Sequence, residues 1–120
     1  VKSAGKEAAE GFYFLSPPQP QDLDTPEAKA FLTDYQKKYN ETPPSIWVVL
    51  AGDGFRVAVA GMAGAQSTEG GKVAEYLHQS LKGYSGLSGP ISFDAKGDRE
   101  GEVYRVYKVD AEGRFVMQKL

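Results

Sequence analysis

"GPISFDAKGDREGEVYRVYKV" runs from Gly89 to Val109, and its reading decides the fold. Both ends have strand character, with β-branched and aromatic residues bounded by Gly and Pro. Between them lies the polar run Asp94-Ala95-Lys96-Gly97-Asp98-Arg99-Glu100-Gly101-Glu102. Four readings apply to it: a metal loop, a carboxylate cluster, a plain turn, or a hinge between two bodies. An EF-hand loop requires oxygen ligands at its third and fifth positions, Gly at the sixth and Glu at the twelfth. Counted from Asp94, those positions meet Lys96 at the third, Arg99 at the sixth and Arg105 at the twelfth, so the pattern fails. A glycosidase needs two carboxylates across a shared cleft. Asp94, Asp98, Glu100 and Glu102 supply acids, but nothing in the sequence defines a cleft. A Gly-containing turn between strands fits the local chemistry best, and a hinge is a special case of it.

Downstream, "EVYRVYKV", "DAEG" and "RFVMQKL" read as a β-hairpin. Upstream, "GGKVAEYLHQSLKG" reads as a helix over about 71–82 that places Val73, Tyr76, Leu77, Ser80 and Leu81 on one face and Gly83 at its C-terminal cap. The helix before it, about 46–65, is apolar nearly all round and therefore requires cover on several sides. Its Gly52, Gly54, Ala58 and Gly61 admit close backbone approach. Thr25-Pro26-Glu27 starts a further helix over about 26–39, with an N-cap, Pro at the first position and an acid in the first turn. Its stripe is Ala28, Phe31, Leu32, Tyr35 and Tyr39, and Asn40 with Pro43-Pro44 ends it. "EGFYFLSP" reads as a strand, followed by a Pro-rich extended connector. Three helices thus separate the first strand from the next, and the apolar helix has few visible partners. That pattern suits a piece of a larger body, or a chain that needs a partner subunit.

With 120 residues, one domain is expected. The net charge of −2 scatters 14 basic residues among 16 acidic ones, which provides no basic stripe for nucleic acid. The absence of cysteine excludes disulfides, thiolate nucleophiles and Cys-based zinc sites, and it fits an exported protein. Val1 opens a polar stretch with no apolar signal-peptide core. Ser45 to Ala65 is about long enough to span a membrane, but Asp53 and Arg56 near its middle would each cost about 2.5–3.5 kcal/mol at a bilayer centre. A buried helix of a soluble body is the better reading.

The chemical candidates are few. His78 is the single histidine and falls opposite the apolar stripe of its helix, so it reads as solvated. Without a second His or any Cys, a metal would rest on carboxylates alone. No G-x-S-x-G elbow exists. Gly70-Gly71-Lys72 lacks the phosphate-loop spacing. Asp53 and Arg56 read as a local i,i+3 pair, with a buried interfacial pair as the alternative. Trp47 reads as core by default, or as an aromatic wall at the mouth of a cleft.

Taken in order, "AAEGFYFLSP", the Pro-rich connector, the TPEA helix start, "PPSIWVVLAGDGFRVAVAGM" and "GPISFDAKGDREGEVYRVYKVDAEGRFV" resemble the C-terminal part of the leucine/isoleucine/valine-type solute-binding proteins of ABC importers. These are type I periplasmic binding proteins. The resemblance implies an α/β fold, the C-terminal portion of a two-lobed protein, with three helices plus a short sheet and a C-terminal β-hairpin. Residues 1–16 would be a strand of lobe 2 leading to a crossing, 17–93 a portion of lobe 1, and 94–120 a crossing and the hairpin of lobe 2. Ser16, Pro17, Asp94, Gly97 and Asp98 would be hinge residues, and Trp47 would line the ligand's side-chain pocket. Where the family commonly has Tyr, this chain has Gly52. The implied function is the substrate-binding component of an importer for branched-chain or other hydrophobic amino acids. Its partners would be the amino acid and a membrane permease, at a periplasmic or other extracytoplasmic location. No enzyme activity, cofactor, metal or nucleic acid is implied. A ligand sensor of the same fold is the alternative. The family grips the amino and carboxylate groups mostly from preceding segments, so these residues alone are expected to bind ligand weakly and to associate with themselves.

Overall fold

The computed structural model describes residues 3, 5–101 and 104–119. Its elements in order are α1 (Lys6–Ala9), β1 (Tyr13–Ser16), a 3-10 turn (Pro20–Asp22), α2 (Pro26–Tyr39), α3 (Ile46–Ala65), α4 (Gly70–Gln79), β2 (Tyr84–Gly86), β3 (Gly89–Ile91), β4 (Arg105–Val109) and β5 (Phe115–Met117). The closest element contacts fall into two groups, β1 with β4 and β5, and α2, α3 and α4 with the β2–β3 hairpin. The molecule is accordingly elongated, 53 × 33 × 25 Å.

The first group is an antiparallel sheet of order β1-β4-β5. Its register sets Phe14 opposite Tyr107, and Tyr107 opposite Met117. Phe14 stacks on Tyr107 at 5.5 Å and meets Phe115 edge-on at 4.9 Å, a cross-strand aromatic cluster that pins the register.

In the second group α2 starts as its sequence demands. The Ala28 amide donates to the Thr25 hydroxyl at 3.1 Å, Pro26 opens the helix, and Asn40 ends it in the left-handed region. α3 buries a single stripe of Ile46, Val49, Asp53, Val57 and Gly61. Ile46 and Val49 form the core with Leu87, against which Leu23, Phe31 and Leu50 pack. The opposite face, with Trp47, Phe55, Val59 and Met62, is exposed, so the expected cover on several sides is not found among the described residues. Gly61 faces α4, where an added Cβ would lie 2.9 Å from Leu77 and 3.1 Å from Val73. Gly54 faces open space instead, so only some of the small residues serve close packing.

Two elements differ from the sequence reading. α4 ends at Gln79, before the expected 82, because the Ser80 and Leu81 amides both turn back to the Tyr76 carbonyl and Leu81 enters the core. Gly83 therefore bends the chain into β2 at φ 61° rather than capping the helix. β2 itself is an additional strand that pairs with β3 through the Leu87-Ser88 turn.

Candidate functional site

Within the polar run, residues 94–98 form a closed turn, whereas the carboxylate candidate Glu102 lies outside the described residues. Asp94 Oδ1 accepts from the Lys96 and Asp98 amides at 2.8 and 2.9 Å, and the Asp94 amide donates to the Asp98 carbonyl at 3.0 Å. Gly97 takes the left-handed position, φ 89°. Asp110-Ala111-Glu112-Gly113-Arg114 repeats the same arrangement between β4 and β5. Side-chain oxygens of Asp caught by amides two and four residues on are the device common to both. After the first turn the chain doubles back, with Phe93 bridging Arg99 and the Glu100 amide donating to the Ser92 carbonyl at 2.9 Å.

Two polar ties meet where the helical group joins the sheet. In the first, Tyr107 of β4 is fully buried; its hydroxyl accepts from the Gln19 amide and donates to Asp22 Oδ2, both at 2.8 Å. Burial above all pushes the Tyr107 hydroxyl up to about 12, with Asp22 adding to the rise and the Gln19 amide opposing it. Ser16, the last residue of β1, accepts from the Gln19 side chain at 2.8 Å.

The second tie is a relay. Asp53, 3% exposed in the middle of α3, accepts from the Leu87 and Ser88 amides at 2.5 and 2.9 Å and from the Ser88 hydroxyl. That hydroxyl in turn accepts from an Arg99 terminal nitrogen at 2.7 Å. The other terminal nitrogen of Arg99 donates to the Ser88 and Pro90 carbonyls at 3.3 and 3.0 Å. Burial lowers the Arg99 pKa, and Asp53 partly offsets this. The Arg99 Nε is buried with no partner among the described residues. No Asp53–Arg56 ion pair forms among the described residues, which corrects the i,i+3 expectation. The orphan amides of a tight turn claim the carboxylate instead. Gly86 makes room for it, since a Cβ there would lie 3.0 Å from Asp53 Oδ1.

Between the ties opens a cavity of about 480 Å³ lined by Asp22, Leu23, Ser88, Arg99, Glu100 and Arg105 among others. It carries mixed charge and lies between the two groups. Trp47 does not line it. That residue stands in the first turn of α3, 69% exposed, so the default reading of Trp47 as core does not hold in this chain. His78 is exposed as expected, and its ring lies alongside Gly97. Asp94, Gly97 and Asp98 lie together in the closed turn, whereas Ser16 and Pro17 lie at the end of β1. Sequence reasoning missed Ser88, Arg99, Tyr107 and Asp22. The one available signal was "SGLSG", whose small residues mark a tight turn without revealing what it bonds. Among the described residues no group of three or more His, Asp or Glu could hold a metal ion.

Residues 1–114 match the periplasmic binding protein family. The chain belongs to that family. Its members are ligand-binding proteins without enzymatic activity. It superposes on a leucine-binding protein, LivK of Thermotoga maritima, with a TM-score of 0.83 and 28% identity over 98% of its length. A substrate-binding protein of an ABC transporter from Desulfitobacterium hafniense, in complex with leucine, matches 93% of the chain with a TM-score of 0.79 and 24% identity. A solute-binding protein from R. palustris in complex with benzoate matches 97% with a TM-score of 0.72 and 19% identity. The last two share the fold. The chain spans 32%, 32% and 31% of these proteins, so the observed α/β architecture is a part of the type I periplasmic binding protein fold. No curated protein matches the chain by sequence.

Proposed function

We propose that this chain is the C-terminal part of the substrate-binding component of an ABC importer that carries branched-chain or other hydrophobic amino acids. The observation that carries the reading is the match to a leucine-binding protein over 98% of the chain at 28% identity. The grouping of elements supports it. A sheet and a helical body joined by two crossings are the parts a two-lobed binding protein needs in order to close on a solute. In this reading β1, β4 and β5 belong to lobe 2, and α2 to β3 belong to lobe 1. Ser16 and Pro17 begin one crossing, and Asp94, Gly97 and Asp98 border the other. Trp47 contributes an apolar wall to the solute's side-chain pocket. The exposed face of α3 is covered by the rest of lobe 1, the protein works outside the cytoplasm, and it delivers its solute to a membrane permease.

The test is a titration with leucine, isoleucine, valine, phenylalanine and 4-aminobutyrate, read by tryptophan fluorescence, to which these 120 residues contribute Trp47 alone. In this reading most of the groups that hold the zwitterion belong to preceding segments. The 120-residue chain alone should therefore bind poorly or not at all, and show no saturable change over the range that saturates the two-lobed protein. The protein containing both complete lobes should show one. A saturable shift from the short chain alone would sink the half-site part of this reading. No shift from the two-lobed protein with any of the five would sink the amino-acid part.

A further inference from the structure

Arg99 is bound to the helical body through both its backbone and its side chain. Its backbone bridges Phe93, and the next amide donates to Ser92. Its guanidinium holds the Ser88 hydroxyl, the Ser88 carbonyl and the Pro90 carbonyl. The Ser88 hydroxyl donates its hydrogen bond to Asp53, so its lone pair is directed to Arg99 and the relay has one direction. Two residues later Gly101 stands at φ 97° with open space where a Cβ would be. The contrast with the closed 94–98 turn is sharp, since that turn is held by its own Asp94 bonds.

We propose that Arg99 is the positioning residue of the second crossing: its clamp on the Ser88 turn ties the chain to α3, so that bending between helical body and sheet begins only beyond it. The consequence for solute binding rests on the function proposed above, while the clamp itself does not. One planar fork reaches three acceptors from two rigidly spaced nitrogens, a geometry that the single compact ammonium of lysine does not reproduce. Loss of the fork releases the turn and lets motion spread back toward Gly97. Hinges are a few residues that absorb the backbone change, and a fixed point beside them sets where that change occurs.

Amide hydrogen exchange on the full chain tests the clamp in Arg99→Met and Arg99→Lys. In Arg99→Met the Leu87, Ser88 and Glu100 amides should exchange about tenfold faster, while the amides of β1, β4 and the α3–α4 contact keep their rates. Arg99→Lys should fall between, and it serves as the readout if Arg99→Met does not fold. Unchanged exchange at those three amides, or an equal acceleration at every amide, would overturn the proposal. Leucine titration of the same variants in the two-lobed protein reports the consequence. If the unsubstituted two-lobed protein binds none of the five solutes, the proposed function fails, and exchange still decides the clamp.

Discussion

Tyr107 shows how one side chain can tie two bodies. It is buried in the face of β4, and its hydroxyl ends between a backbone amide and a carboxylate of the connector. Replacing it by Phe leaves the Gln19 amide and Asp22 without that partner, which should cost about 1–3 kcal/mol at neutral pH. The pH dependence has a definite sign. In the unfolded chain a tyrosine releases its proton near 10, but folded Tyr107 releases its proton only near 12. Between those values the unfolded state holds fewer protons, so stability falls as pH rises and is unaffected below about 10. Urea unfolding from neutral pH to about 12 should show this decline in the native chain and a shallower one in Tyr107→Phe. Parallel curves would mean that Tyr107 ionises as an exposed tyrosine does.

At the scale of elements, α3 is the informative case. Its glycines look alike in sequence, but their surroundings differ. Gly61→Ala would press a methyl group into Leu77 and Val73, and the χ1 of Val73 is stiff. Overpacking of this kind costs about 1–3 kcal/mol, more than the gain of about 1 kcal/mol from removing a helical glycine. Gly54→Ala meets nothing and should realise that gain. Thermal or urea melts should therefore move in opposite directions for the two variants. A stabilising Gly61→Ala would show that the α3–α4 contact is looser than these distances indicate. The same helix is long and apolar enough to cross a membrane by length and composition. Its central carboxylate is instead engaged by the Leu87-Ser88 turn, as befits a helix packed within a folded body.

For the molecule as a whole, the exposed apolar surface is the main physical fact. Phe55 is 73% exposed and Trp47 69%, with Val59 and Met62 on the same helix. A surface of this kind is ordinarily an interface. The chain should therefore associate with itself through this face. Sedimentation velocity over a range of concentrations should show a dimer or larger species, and Phe55→Asp should return it toward the monomer with its helix content intact. A native chain that stays monomeric at every concentration would refute the prediction.

Local signals determined most of the elements. Thr25-Pro26-Glu27 placed the start of α2, the aromatic run before Pro17 placed β1, and the β-branched and aromatic residues on either side of "DAEG" placed β4 and β5. The family pattern was also legible, because its motifs recur in order along the whole chain. Tertiary structure alone decided that Asp53 serves the Leu87-Ser88 turn and not Arg56, that Arg99 reaches Ser88, and that Tyr107 reaches Asp22. The reason is physical. A turn or a cap is satisfied within a few residues and leaves a local imprint. A buried carboxylate is claimed by donors 34 and 35 residues away, whose arrival depends on how the helices and the hairpin pack.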